Sequence, residues 1–469
     1  MNAQVKIEKE IQVSHQPQEK LTFGTRVAYG CGDTACNVVY GMITTLLTLF
    51  YTDYVGLPVA TVGIVMLVSR VFDGMADIIM GFIVNRTNTK WGKARPWIIW
   101  MSVPYCVTAV ALFTVPQTNA SLQFWYIFVV YNLCTSVLYT AINVPYGTMS
   151  TLMTRSSHER DMLSIFRMCL APVGRIVAVT FTMPVVKLFG DDQAAWAKAM
   201  AMWSVFALAM LIICFVNCKE TVTFEALKRE KIPVGTNVKA LLTNQYFWST
   251  LMLWTVTCVH YTVVGTSLPY YCKYIFHNDK WMYSVLYLAE TGMMIVGAML
   301  CPLFLRRFGK RNISLCGAII AVLAQLAFFF NTNSFQWALI TSLIRALGEA
   351  PLIALVFGMM GDVVEFGQWK YHIRQESLVF AGGTVGFKFG TGVASAIMAA
   401  LLTQAGYISS AGAAVVQPES AISMIRNIYL WGPVLLWSMA VVILLLYKLD
   451  KKHSHIMSEL LSREARGEM

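Results

Sequence analysis

Asp73 and Asp77 stand four residues apart in an otherwise mostly apolar stretch from Leu67 to Met80. At i and i+4 their carboxylates share one helix face. The apolar run around them, 59–84, is long enough to cross a bilayer, which takes about 20 residues. An ionised carboxylate at membrane depth is costly unless something compensates it, and two on one face also repel each other. A cation held between them removes both problems. The pattern therefore points to a cation site and, inside a multi-span protein, to ion-coupled transport. The alternative is a structural ion pair with Arg70, which lies on much the same face. Carboxylates are hard oxygen ligands suited to Na⁺, but a repelling pair can instead share a proton. The residue types leave Na⁺ and H⁺ both open.

The chain that carries this pair has 469 residues, 57% of them hydrophobic and 13% charged, with a mean hydropathy of +0.58. Soluble domains carry about 25% charge, so this composition is that of a membrane protein whose partner is the lipid bilayer. The net charge of +11 does not indicate nucleic acid, because the basic residues cluster in short loops between apolar runs. Eleven cysteines are scattered without metal-ligand spacing and read as small apolar residues. The first 20 or so residues are polar, include Glu8 and Glu10, and read as a cytosolic tail with no cleavable signal pattern.

Twelve apolar spans are predicted, at 28–51, 59–84, 96–115, 122–150, 161–187 and 197–217, then 246–272, 281–304, 313–331, 335–361, 378–404 and 425–447. The division that follows is a tail over 1–23, a six-helix bundle over 24–218, a polar middle loop over 219–244, a second six-helix bundle over 245–448 and a tail over 449–469. The middle loop carries Glu225, Lys228, Arg229, Glu230 and Lys231. Basic residues gather in alternate loops: Arg86, Lys90, Lys93 and Arg95; Arg155 and Arg160; Arg306, Arg307, Lys310 and Arg311; Lys370 and Arg374. The loops near 52–57, 116–121, 332–335 and 405–423 contain no Lys or Arg. Both termini and the middle loop are therefore expected in the cytosol, with Lys273 and Lys280 the minor exception outside. A Gly-Lys loop recurs at equivalent places, Gly92-Lys93 after the second span and Gly309-Lys310 after the eighth. The expectation is an all-α membrane protein of twelve transmembrane helices in two six-helix halves. That is the plan of the major facilitator fold, where substrate sits near midplane.

The chain also resembles the glycoside–pentoside–hexuronide:cation symporters, a family that includes the melibiose carrier. The motifs are Tyr29-Gly-Cys-Gly-Asp33, Phe50-Tyr-Thr-Asp53, Arg70-Val-Phe-Asp73-Gly-Met-Ala-Asp77, Trp91-Gly-Lys-Ala-Arg-Pro-Trp97, Tyr139-Thr-Ala-Ile-Asn-Val-Pro-Tyr146 and Tyr371-His-Ile-Arg-Gln-Glu376. The resemblance implies that Asp73 and Asp77 bind the coupling cation, that Thr140 adds an oxygen, and that Lys388 lies near both the cation and the sugar. It implies that Arg167 holds sugar hydroxyls and that Tyr139 and Thr384 line the cavity. The family's acidic sugar ligand in the first span falls on Asn37, with Asp33 one turn earlier on the same face. Asn143 and Gly147 replace a carboxylate and a tryptophan of the melibiose carrier, and Ile353 falls on another of its tryptophans. These departures point away from melibiose and toward glucuronide, xyloside or glucoside carriers.

Those residues suit the chemistry. Asp33 accepts two hydroxyls, Asn37 and Asn143 both donate and accept, and Arg167 forks onto an oxygen pair. Tyr139, Tyr146 or Trp254 could cover a sugar's apolar face, with plain packing equally open for each ring. For Asp33 and Arg167 the alternative is that they pair only with each other. Lys388 could neutralise the aspartates when the cation leaves. In the second half, Arg345 and Glu349 read as a buried i,i+4 pair, Glu290 has no evident partner, and His260 reads as simply hydrogen-bonded. Arg86, Lys93, Arg95 and Arg374 could latch a cytosolic gate against acidic helix ends such as Asp362 and Glu365, or serve mainly to set topology.

The expected protein is a monomeric symporter of the bacterial inner membrane. It would couple inward Na⁺ or H⁺ to uptake of a glycoside, glucuronide, pentoside, glucoside or oligosaccharide, with no cofactor. A lysolipid carrier on the same fold and a non-transporting sugar sensor are the alternatives. An enzyme is not expected, because no His-rich metal cluster or nucleophile constellation is present.

Overall fold

A computed structural model describes residues 20–57, 59–221, 234–277, 281–407 and 417–466. Among these residues the chain is helical, with one isolated bridge between Thr89 and Gly92. The helices are α1 Phe23–Leu49, α2 Val59–Arg86, α3 Arg95–Leu112, α4 Ala120–Asn132, α5 Tyr139–Met153, α6 Ser157–Leu188 and α7 Gln193–Asn217. A short α8 Val234–Leu242 follows, then α9 Gln245–Tyr274, α10 Met282–Leu305, α11 Arg307–Asn331, α12 Phe335–Tyr371, α13 Glu376–Gln404, α14 Glu419–Leu446 and α15 Leu449–Ala465. Among the described residues nine helices are long and apolar enough to cross a membrane. The first three predicted spans are helices too, α1, α2 and α3, but fall outside those nine. The charged run from Glu225 to Lys231 lies outside the described residues.

Local chemistry sets the helix starts. Thr22, Asn119, Ser156 and Asp192 each accept a hydrogen bond from a backbone N–H three residues on, satisfying donors that the first turn leaves open. The helices also outrun the apolar spans. α12 continues past 361 to Tyr371, and α15 occupies the tail that sequence reads only as polar. Hydropathy ends where water begins, whereas a helix ends where its backbone bonds end. α15 buries Leu449, Ile456 and Leu460 and turns its charged side outward.

The chain packs as two compact units. The first draws on Met1–Phe247, Phe357–Val385 and Lys451–Met469, the second on Trp248–Val356 and Gly386–Asp450. In the first, α1 packs along α6 and α7, and α3 packs along α7. In the second, the run Met282–Phe328 packs against α14.

The Gly-Lys echo has a shared physical form in the two units. Gly92 has φ 110° and Gly309 φ 76°, a region that side chains with a Cβ avoid. Gly309 is the break inside what is otherwise continuous helix from Met282 to Phe328. Each glycine leaves room for a carboxylate that follows a later helix of its unit, Glu220 after α7 and Asp450 after α14. Glu220 accepts from the N–H groups of Lys93, Ala94 and Arg95 at 2.9, 2.8 and 2.7 Å. Asp450 accepts from the Arg311 N–H at 2.8 Å. Arg95 Nε donates to the Phe215 carbonyl at 2.8 Å, and Arg311 Nε to the Leu444 carbonyl at 2.8 Å. Each turn therefore places an anion at a helix N-terminus and a guanidinium at a helix C-terminus, both favourable to the helix dipoles. A Cβ on Gly309 would lie 2.9 Å from Asp450 Oδ2, and one on Gly92 would overlap the Glu220 carboxylate. Gly92→Ala and Gly309→Ala are each expected to lower stability by about 1–2 kcal/mol from backbone strain alone. Thermal unfolding of the purified protein in detergent checks this, and an unchanged midpoint for both would remove the role given to the two turns.

Candidate cation and sugar sites

The two aspartates are buried on α2, and the chain facing them is not regular helix. Between α4 and α5, residues Leu133–Leu138 form a π turn. Such turns shift the side chains of a helix out of α register and recur at functional sites. Here Ser136 Oγ donates to Asp73 Oδ1 at 2.5 Å, and Thr140 Oγ1 donates to Asp77 Oδ1 at 2.8 Å. Two carboxylates at i and i+4 are met by two hydroxyls at i and i+4 on the opposing segment, a compact cradle of oxygens. Oxygen donors of this kind fit a hard monovalent cation. Thr140 is where the sequence put it. Ser136 was missed, and the signal for it was its spacing from Thr140, which mirrors that of Asp77 from Asp73. The Arg70 side chain lies outside the described residues.

A second polar cluster lies in the same unit. Arg167 on α6 donates through Nε to Asp33 Oδ2 at 2.9 Å and through Nη2 to Asn143 Oδ1 at 3.4 Å. Asn143 Nδ2 in turn donates to the Tyr139 hydroxyl at 2.6 Å. The Arg167 guanidinium lies over the rings of Tyr146, at 4.8 Å, and Phe357, at 4.1 Å. Asp33 and Arg167 thus do pair, but not only with each other. Tyr146 is engaged elsewhere: it stacks on Tyr29 at 4.5 Å and its hydroxyl donates to the Tyr29 carbonyl at 2.6 Å. It packs the wall behind Arg167. Tyr139 stacks on Tyr40 at 5.1 Å. Asn37 spends its amide on the Asp33 carbonyl at 2.9 Å. Thr384 Oγ1 donates to the Ala381 carbonyl at 2.8 Å. Lys388 is buried in the second unit, which also holds the contact between the half-buried Trp254 and Phe387 at 6.5 Å.

One helix carries parts of both clusters. On α5, Thr140 bonds Asp77, while its neighbour Tyr139 and then Asn143 belong to the Asp33–Arg167 cluster.

The acids of the expected gate have a partner that the sequence did not single out for them. Asp362 and Glu365 on α12 bond Arg160 of α6, through Nη2 at 3.0 Å and Nη1 at 2.5 Å. Arg86 is exposed, and Arg95 is turned to Phe215 with its guanidinium 4.4 Å from the ring. Lys93 contributes its backbone N–H to Glu220. Arg374 pairs with Glu376 and donates to Gln368 Oε1 at 2.8 Å. The loop basics were read as one set, but Arg160 sits inside its helix, where burial makes the choice of partner compulsory. His453 of α15 adds Nε2 at 2.6 Å from Glu365 Oε2 and 3.3 Å from Asp362 Oδ1. These three side chains could in principle hold a metal, but Arg160 already supplies the positive charge there. α15 is further held by Trp369 Nε1, which donates to Glu459 Oε2 at 2.6 Å and, with Arg463, keeps the Glu459 carboxyl below the usual range.

A family described as MFS/sugar transport protein matches residues 28–451. The chain belongs to this family. Its members are transporters rather than enzymes, in line with the resemblance to the glycoside–pentoside–hexuronide:cation symporters. An isoprimeverose transporter of Lactiplantibacillus pentosus is 29% identical over 94% of this chain and 91% of its own length. A putative glycoside/cation symporter of Escherichia coli K12 is 29% identical over 96% of this chain and 97% of its own. A putative sulfoquinovose importer of the same organism is 27% identical over 96% of each. Among solved structures, the major facilitator superfamily transporter FucP in its outward conformation is similar with a TM-score of 0.62. It is 11% identical, covering 89% of this chain and 97% of FucP, and the likeness establishes the fold as that of the major facilitator superfamily.

Removing one partner of the Asp33–Arg167 pair strands a buried charge. Arg167→Gln is expected to cost about 3–5 kcal/mol, and Asp33→Asn with Arg167→Gln should recover part of that loss. A double-mutant cycle by thermal or denaturant unfolding measures it; full additivity would show that the pair does not interact.

Proposed function

We propose that the protein is a cation-coupled glycoside symporter of the bacterial inner membrane, monomeric, with twelve spans and both termini in the cytosol. The observation that carries this reading is the pair of buried clusters joined through α5. Asp73, Asp77, Ser136 and Thr140 make an oxygen cradle for Na⁺ or H⁺. Asp33, Arg167, Asn143 and Tyr139 offer the charged and neutral donors and acceptors that a polyhydroxylated solute needs. A lysolipid would call for an apolar cleft, and this charged cluster favours the sugar. Binding of both ligands permits the alternating-access change, and coupling between them is reciprocal. Asn37, Tyr146 and Thr384 serve as further lining or supporting positions, and Lys388 as the charge that replaces the cation in the empty carrier. The cytosolic gate is held by Arg160 with Asp362 and Glu365, and Arg86, Lys93, Arg95 and Arg374 mainly set topology and brace helix ends. The names of the relatives support a glycoside with a pentose unit or an acidic substituent, the latter suited to Arg167.

Uptake of a panel of labelled glycosides, including isoprimeverose, a glucuronide and a sulfoquinovoside, into proteoliposomes is the test, with Na⁺ and pH gradients imposed separately. Concentrative uptake of at least one solute on one gradient is expected. Exchange without accumulation on either gradient would reject coupling, and binding without exchange would leave a sensor. Asp73→Asn with Asp77→Asn should abolish accumulation while leaving the protein in the membrane. Ser136→Ala removes a hydrogen bond to a charged group, worth about 1.5–3 kcal/mol. The cation concentration for half-maximal uptake should therefore rise roughly ten- to a hundredfold. An unchanged value would exclude Ser136 from the site.

A further inference from the structure

We propose that His260, Glu290, Arg345 and Glu349 form a binding site for one exchangeable proton. The site lies in the second unit and goes beyond the function proposed above. The sequence suggested an isolated helix pair, a lone acid and a lone histidine. The structure joins them. Arg345 on α12 places Nη2 at 2.5 Å from Glu290 Oε1 of α10 and Nε at 3.3 Å from Glu349 Oε1, one turn further along α12. His260 of α9 places Nε2 at 2.8 Å from the same Glu349 oxygen. Gln325 of α11 locks the guanidinium, accepting from Arg345 Nη1 at 2.6 Å and donating to the Tyr429 carbonyl of α14 at 2.9 Å.

Five helices that are long and apolar enough to span the membrane therefore meet at one polar cluster. Its charge does not close. Two carboxylates against one guanidinium leave one negative charge when the imidazole is neutral, and all four side chains are largely buried on helices long and apolar enough to cross a membrane. An uncompensated charge in such a place is expensive. The other titratable groups that face the cluster are Tyr261, Tyr287, Tyr429, Cys258 and Cys272. Phenols and thiols are neutral near pH 7 and bring no compensating charge. One added proton brings the sum to zero. The neutral imidazole keeps one open lone pair, because His260 Nδ1 makes no hydrogen bond. A carboxyl of the cluster is the competing place, and because the groups interact the proton belongs to the set. Glu290 is the most exposed member, with 16% of its side chain accessible against 2–7% for the others. It is the member through which the proton enters and leaves.

Glu290→Gln and Glu349→Gln each neutralise the cluster without a proton. Proton uptake by the purified full-length protein in lipid nanodiscs is measured with a pH dye between about pH 9 and about pH 6, where ordinary carboxylates stay ionised and other groups titrate alike in all samples. The unsubstituted protein is expected to take up one proton per molecule more than either variant. Equal uptake overturns the proposal. The second substitution carries the test if the first does not yield a monodisperse protein. The measurement needs no transported solute, so its outcome is independent of which glycoside the protein carries.

Discussion

An ionised side chain within a membrane-spanning helix needs a counter-charge or a strong set of hydrogen bonds, and that requirement organises this molecule. Asp33 is met by Arg167, Asp73 and Asp77 by hydroxyls of the facing segment, and Glu290 and Glu349 by Arg345 and His260. At the ends of the spans the same requirement joins Arg160 to Asp362 and Glu365. Apart from Arg345 and Glu349, which share α12, the partners come from different segments, so satisfying the charge also fixes which helices neighbour one another. In lipid these polar contacts add to the close packing of small residues that also selects helix neighbours.

The same clusters are suited to transport because their balance is conditional. A set of carboxylates held by neutral hydroxyls keeps its negative charge until a cation or a proton joins it. A set with one guanidinium, two carboxylates and an imidazole changes sum with a single proton. Such arrangements have two occupancy states separated by a modest free energy, which a bound solute can bias. α5 contributes to both the Asp73–Asp77 cluster and the Asp33–Arg167 cluster, since Tyr139 and Thr140 are adjacent in the chain yet bond into different ones.

Much of this was legible in the sequence. Asp73, Asp77, Asp33 and Arg167 stood out because charged residues in apolar spans are rare and their type names the chemistry. The helical segments and the Gly-Lys repeat followed from hydropathy and from glycine's backbone freedom. Ser136 did not stand out, since serine is at home in any span and only the π turn aims it at Asp73. The loop basics were legible as a group but not as pairs. Arg160 and Arg95 look alike in sequence, yet one is buried against acids and the other caps a helix end.

By itself, the sequence determined that this chain is a membrane protein, which segments are apolar enough to be spans, and which few residues place charge and hydrogen-bonding groups within them. Those properties are local, set by the transfer energy of each side chain and the period of the helix. Only the tertiary structure decided which charge meets which. Pairing depends on distances between helices far apart in the chain, as with Gln325, Arg345 and Glu290, and on backbone departures such as the π turn at Leu133–Leu138. Electrostatic energy in a low-dielectric interior changes steeply over a few ångströms, and no count of residues along the chain resolves that.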